Sequence, residues 1–150
     1  MGDQENTEKQ ELVMASERIG NVFKSGIYYL IQDDEIVYIG QSVCIMARIS
    51  THYTKKRKLF NRYIYTNVPL DKLDELELKE IIKYSPKYNS DLPGNNTYAS
   101  MGKLKAHFRV PEAKLESIIE KNNIGFIETI GRRYYYLQEF DRIIKPVGRR

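Results

Sequence analysis

The stretch SGIYYLIQDDEIVYIGQSVCIMARISTHY, Ser25 to Tyr53, decides how the chain is read. Its first half holds two runs of β-branched and aromatic residues, GIYYLI and EIVYIG, joined by Gln32, Asp33 and Asp34, the pattern of two antiparallel strands with a tight turn between them. Its second half, SVCIMARISTHY, places Val43, Ala47 and either Met46 or Ser50 at helical spacing, with Ser42 as the expected N-cap. Strand alternation puts Tyr28 on a face with Leu30, and Tyr38 on a face with Ile36 and Gly40. Facing one another across the hairpin, the two tyrosines can converge on one cleft, while Tyr29, on the opposite face, goes to the core. Arg48 and His52 follow within the same helical stretch.

Working outward, RYIYTNV reads as a third strand, and PLDKLDELELKEIIKYSPKYN as an amphipathic helix stopped by Pro86. At about 100° per residue, Glu77 falls between Leu73 and Ile81 and near Leu70 and Tyr84, inside the apolar arc of that helix. An ionised carboxylate there needs a partner, either a structural Arg or Lys or a divalent metal. Glu80, about 60° away and nearer the edge of the arc, is the competing carboxylate. SDLPGNNTYAS, from Ser90 to Ser100, is dense in turn formers and reads as a linker. MGKLKAHFRV and PEAKLESIIEKN then form two short helices with a tight turn near Arg109 and Val110. IGFIETIGRRYYYLQ alternates as a hairpin around Gly131, Arg132 and Arg133, and EFDRIIK closes on a helical pattern.

The 150 residues leave room for one compact domain or two small ones, and a hydrophobic content of 41% suffices for a core. No apolar run approaches the roughly 20 residues that cross a bilayer. The acidic start, MGDQENTEKQE, is unlike a signal peptide, so a cytoplasmic, bacterial or phage-type protein without a membrane partner is expected. Cys44 is the single cysteine, which excludes an internal disulfide and any zinc site of several thiolates; its ordinary role is a small buried side chain on a helix. The net charge of +4 is unevenly spread. Residues 1–17, expected as a flexible acidic tail or frayed helix, carry one lysine against five acidic residues, leaving +8 on the remainder. Arg48 to Tyr63 holds Arg48, Lys55, Lys56, Arg57, Lys58 and Arg62 with no acidic residue. A polyanion is the natural partner of such a body.

The hairpin tyrosines, Arg48 eight residues after Gly40, His52 four further on, and Glu77 nine before the Pro86 of PKYN occur in an order and spacing that resemble the GIY-YIG nuclease superfamily over roughly Ser25 to Asn89. The resemblance implies an α+β domain at 18–90 with a three-stranded antiparallel sheet flanked by helices. It implies a metal-dependent endonuclease leaving 5′-phosphate and 3′-hydroxyl ends on DNA. Tyr28 would help deprotonate the attacking water, Tyr38 would orient it, Arg48 would grip the scissile phosphate, His52 would assist, Asn89 would anchor backbone around the site, and Glu77 would hold Mg²⁺ (or Mn²⁺). The chemistry suits the residue types, because a tyrosine of pKa about 10 is ionised in only about one molecule in a thousand at pH 7 and needs cations beside it. His52 also admits a plain role as a solvated helix-end histidine, and Asn89 as a turn asparagine.

Beyond a linker at 91–98, the order of helix, turn, helix, β-ribbon and helix over 99–150 resembles winged helix-turn-helix domains of the excisionase and MerR type, with Leu104, Val110, Leu115 and Ile118 as core and GRRYY at the wing. Such a domain inserts its second helix in the major groove. Here that helix carries Glu112, Glu116 and Glu120 against Lys114 and Lys121, which shifts the expected DNA contacts to Lys103, Lys105, Arg109, Arg132 and Arg133, beside Lys55, Lys56, Arg57 and Lys58 of the first domain. Double-stranded DNA is the expected partner. The rival readings are a DNA-binding regulator or inhibitor without catalysis, and a nuclease directed to RNA. Monomer and dimer are both open.

Overall fold

The computed structural model describes residues 2–16 and 24–145, so the expected boundary between tail and first domain, at residues 17 and 18, lies outside them. Gly2–Ala15 is a helix, α1, whose residues 9–15 are exposed. The elements that follow are β1 (Gly26–Gln32), β2 (Glu35–Ser42), α2 (Ile45–Lys55), β3 (Arg62–Asn67) and, after a single 3-10 turn at Leu70–Lys72, α3 (Leu73–Tyr84). The second half contributes β4 (Tyr98–Ala99), α4 (Met101–Phe108), α5 (Glu112–Asn122), β5 (Phe126–Thr129), β6 (Arg132–Tyr136) and α6 (Leu137–Ile143). The protein is thus a mixed α+β molecule with two three-stranded antiparallel sheets, ordered β2-β1-β3 and β4-β6-β5.

In the first sheet the β1–β2 turn is made by Asp33, which takes the left-handed conformation at φ 55° that aspartate tolerates. Asn61 holds it, accepting from the Asp33 amide at 3.0 Å and donating to its carboxylate at 3.0 Å. The pairing is regular from Gly26 opposite Ser42 to Leu30 opposite Tyr38, then shifts by one residue so that Ile31 faces Ile36. The extra residue, Val37, forms a bulge and reverses the alternation. Ile36 therefore packs with Ile27 and Ile39 beneath α3, while Tyr38 joins Tyr28, Leu30, Ile45 and Ile49 on the α2 side. The expectation that Tyr38 and Ile36 share a face is corrected by that bulge.

Two features of α2 also differ from expectation. Ser42 is not its N-cap; the hydroxyl accepts from the Cys44 amide at 3.0 Å and shapes the turn ahead of a helix that starts at Ile45. The face that packs on the sheet is Ile45, Ile49 and His52, while Val43, Met46 and Ala47 are exposed. On α3, Leu73 and Ile81 are buried as expected, but Tyr84 at its end, and Leu70 in the 3-10 turn before it, are exposed. The helix ends at Ser85, in the left-handed conformation ahead of Pro86.

The second half encloses Ala99, Leu104, Phe108, Leu115, Ile124, Tyr135, Leu137 and Phe140, with Val110 and Ile118 packed at the margin. Ser100 caps α4 by accepting from the Lys103 amide at 3.3 Å, and Arg109, at φ 53°, turns the chain toward α5. Residues 91–98, expected as a linker, are tied down in several places. Leu92 packs beneath the first sheet, the Asp91 carboxylate accepts from the Tyr134 hydroxyl at 2.8 Å, and the Asn95 side chain accepts from the Thr97 and Tyr98 amides. Among the described residues no helix is long and apolar enough to cross a membrane.

Candidate active site

Tyr28, the centre of the site, owes its place to Gly40, the residue directly opposite it. A Cβ at Gly40 would come within 2.6 Å of the Tyr28 hydroxyl oxygen and 2.9 Å of the Tyr38 ring, so only glycine lets the two rings close over β2. Their centroids are 6.0 Å apart. His52 reaches in from the buried face of α2. Its Nε2 is 2.8 Å from the Tyr28 hydroxyl, and its ring centroid is 5.0 Å from that of Tyr38. Arg48 is one helical turn before His52, close enough that its guanidinium acts on the Tyr28 phenol. Lys58, just past α2, places its ammonium 4.5 Å from the centre of the Tyr38 ring.

These neighbours set the resting charges. Burial, with Lys58, Arg48 and Lys55 adding repulsion, lowers His52 to about 4, so the imidazole is neutral at pH 7. Burial and the adjacent Tyr38 push the Tyr28 phenol well above the usual tyrosine range, and Arg48 only partly opposes them. Burial, then the charges of Arg48 and Arg57, lower the Lys58 ammonium. At rest, therefore, a protonated phenol meets a neutral imidazole. Passing one proton along the hydrogen bond from Tyr28 to the Nε2 lone pair would create a phenolate flanked by two cations.

Glu77 occupies a different face. Gln41, next to Gly40 on β2, points to the α3 side and donates from Nε2 both to Glu77 at 2.8 Å and to Asp74 at 2.6 Å. Burial raises the Glu77 carboxyl above its usual range, and the nearby Asp74 charge adds to that effect. Neither carboxylate is paired with a basic side chain among the described residues. Two acidic side chains drawn together by one amide, one of them half-buried, form a hard oxygen donor set of the kind that Mg²⁺ takes along with water and phosphate oxygens. Among the described residues no group of three or more His, Cys, Asp and Glu side chains converges on a single point. Glu80 is engaged elsewhere, accepting from the Tyr29 hydroxyl at 2.9 Å.

Asn89 is buried and clamps the outer edge of β2. It accepts from the Ile39 amide at 3.0 Å and donates to the Ile39 carbonyl at 2.9 Å, while the Tyr88 amide donates to Val37 at 2.9 Å. It fixes the strand between Tyr38 and Gly40 and touches neither the phenol nor the imidazole. Lys55, Lys56 and Arg57 are exposed at the end of α2, and the Lys55 charge reaches His52. In the second half Arg109 is exposed, Lys103 donates to the Asn95 carbonyl at 2.8 Å, and Lys105 pairs with Glu112 at 2.9 Å. Arg132 and Arg133 lie in β6 beyond a turn at Ile130 and Gly131, one residue earlier than expected; Arg133 pairs with Glu128 at 2.8 Å and lies over Phe126. Gln41 and Asp74 escaped the sequence reading. Their only signal was the spacing of Asp74 three residues before Glu77 on one helix side.

The class defined by this geometry is a two-sheet α+β protein with a buried tyrosine–histidine hydrogen bond under a basic rim. Comparison of the chain with protein-family models, with curated proteins and with solved structures gives no match.

Proposed function

We propose that the protein is a metal-dependent endonuclease of the GIY-YIG type that hydrolyses phosphodiester bonds in double-stranded DNA, leaving 5′-phosphate and 3′-hydroxyl ends. The observation that carries this reading is the 2.8 Å bond between the Tyr28 hydroxyl and His52 Nε2, with Tyr38, Arg48 and Lys58 around it. In this reading Arg48 and Lys58 receive the scissile phosphate. Burial, and then repulsion from Lys58, Arg48 and Lys55, keeps His52 neutral; the phosphate charge offsets the second of these, and Tyr28 takes the proton of the attacking water as His52 takes that of Tyr28. Tyr38 holds the water in line. Asn89 acts through the Ile39 backbone, keeping Tyr38 and Gly40 in register. Glu77, with Asp74 beside it, would hold Mg²⁺ (or Mn²⁺), which would supply charge neutralisation on the phosphate and the departing oxygen. The second half, read as a winged helix-turn-helix, would add binding through Lys103, Lys105, Arg109, Arg132 and Arg133, together with Lys55 to Lys58 of the first.

One observation favours a second reading. Glu77 and the Tyr28–His52 pair lie on opposite faces of the first sheet. A DNA-binding regulator that cuts nothing would tolerate that separation. Supercoiled plasmid incubated with the protein and Mg²⁺ tests the two readings. The nuclease should nick or linearise it, EDTA should stop the reaction, and Glu77→Ala should abolish it while leaving DNA binding. Binding without any cleavage in Mg²⁺ or Mn²⁺ would establish the regulator, and full activity in Glu77→Ala would remove the metal role.

A further inference from the structure

The β5–β6 turn breaks a local rule. Its two central residues, Ile130 at φ 46° and Gly131 at φ 71°, both adopt positive φ, the requirement of a tight hairpin turn that is ordinarily met by Asn-Gly. A β-branched residue in that conformation is a steric outlier, maintained only where its surroundings over-determine it. Here the surroundings belong to the other half of the molecule. The Ile130 side chain packs into the cluster of Ile27, Ile39, Val68, Leu73 and Ile81, between the first sheet and α3. Its amide donates to the Ser85 hydroxyl at 2.6 Å, at the residue that ends α3. Thr129, only 3% exposed, donates its hydroxyl to the Ile81 and Ile82 carbonyls at 3.3 and 3.4 Å in the last turn of α3, where the Ile81 carbonyl also accepts from the Ser85 amide at 2.8 Å. The Tyr134 hydroxyl closes the junction on Asp91.

A turn held in this way has one side of its tip, Ile130, packed against protein while Gly131 stays exposed. We infer that the β5–β6 hairpin is a strut that fixes the second half on α3, with Thr129, Ile130 and Tyr134 as its positioning residues. On the nuclease reading above, the strut makes the cut fall at a set offset from the DNA gripped by the second half. Halves joined only by a linker move relative to one another by default, and their spacing then follows linker length. Here the spacing follows the strut. The same contact steadies the helix that carries Asp74 and Glu77.

The test uses the full chain. ¹⁵N relaxation should give residues 26–89 and 99–143 one common rotational correlation time. The triple variant Thr129→Val, Ile130→Gly and Tyr134→Phe should split it into two. Gly-Gly is at ease in the turn and phenylalanine keeps the buried ring, so the hairpin itself should survive; retention of its amide shifts checks this. Two correlation times in the wild type, or one in a folded triple variant, overturns the strut. For the offset, a Gly-Ser insertion after Gly94, where a side chain would meet open space, should leave the cut position on end-labelled duplex unchanged in the wild type and spread it in the triple variant. A cut position that moves with the insertion alone also overturns the strut. If no DNA is cut at all, the nuclease reading fails while the relaxation result still decides the strut.

Discussion

The two sheets bury different kinds of group. Around the first, His52, Asn89 and the Tyr28 hydroxyl are withdrawn from water, whereas the core cluster of the second is made of Ala99, Leu104, Phe108, Leu115, Ile124, Tyr135, Leu137 and Phe140. Among the described residues the second half also buries Thr129 and Tyr134, whose hydroxyls turn to the Ile81 carbonyl and to Asp91, outside that cluster. Burying a polar group costs stability unless it is hydrogen-bonded, and the first half satisfies each of its buried groups through a specific partner. A scaffold has no need of that arrangement. The difference teaches where chemistry should be sought: in the nuclease proposed above, the first half would accept polar burial to hold a proton-transfer pair, and the second would be a well-packed carrier.

The largest expected effects would break the comparison if they failed. Arg48→Ala removes an exposed guanidinium, so stability should barely change, while loss of a preorganised charge contact in the transition state costs about 3–4 kcal/mol and slows single-turnover cleavage by about 10²–10³. Leu104→Ala should do the reverse, lowering unfolding free energy by about 2–5 kcal/mol while the molecules that remain folded keep their chemical step. An Arg48→Ala enzyme within a few-fold of wild type would make the arginine ordinary surface charge. A Leu104→Ala protein that is fully folded yet slow would mean that the second half takes part in the chemistry.

A somewhat smaller effect follows from His52. Its folded pKa of about 4 lies below the ordinary 6.5, so between these values the unfolded chain binds the proton and the folded chain does not. Stability is therefore fully present above about pH 6.5 and declines as the pH falls toward 4, by on the order of 3 kcal/mol in total. Urea unfolding from pH 7.5 to pH 4.5 should record that slope. His52→Gln, which cannot titrate, should flatten it relative to wild type; equal slopes in the two proteins would mean that the imidazole is not withdrawn from water in solution.

Much of this contrast was legible in the sequence, and the gaps have physical causes. The first hairpin, the third strand, the Leu73–Ile81 helix face and the order of elements in the second half are local patterns, written in periods of 2 and 3.6 residues. The convergence of Tyr28 and Tyr38 on one face was legible as well, although they do not face one another directly: Tyr28 lies opposite Gly40 and Tyr38 opposite Leu30. Period counting fails where geometry is irregular. The Val37 bulge moved Ile36 to the opposite face from Tyr38, and the late start of α2 gave its buried side to Ile45, Ile49 and His52. It also fails for contacts between distant positions. Asn89 meets Ile39 across 50 residues, Gln41 meets Asp74 across 33, and Thr129 meets Ile81 across 48. Ile130 was not visible as a turn residue, because the sequence pattern centres the turn on Gly131 to Arg133, and what it packs against lies in the other half.

The smallest expected effect sharpens what the second half contributes. Arg132 and Arg133 follow a turn whose tip faces the first half, so any phosphate they meet must approach the exposed side of β6. Arg133 is already committed to Glu128 and to the face of Phe126, whereas no ion pair engages Arg132 among the described residues. A guanidinium free of a local carboxylate has more to give a phosphate, because binding need not first break an existing pair. Arg132→Ala should therefore weaken DNA binding and reduce the slope of log K against log salt by about 0.9, the loss of one phosphate contact. Arg133→Ala should change the slope by less, and Glu128→Gln, which releases Arg133, should strengthen binding slightly. A salt titration of the three variants beside wild type decides the matter. Equal slopes throughout would show that β6 does not face DNA, leaving Lys55 to Lys58 as the principal grip and the second half as a carrier held in place by its strut.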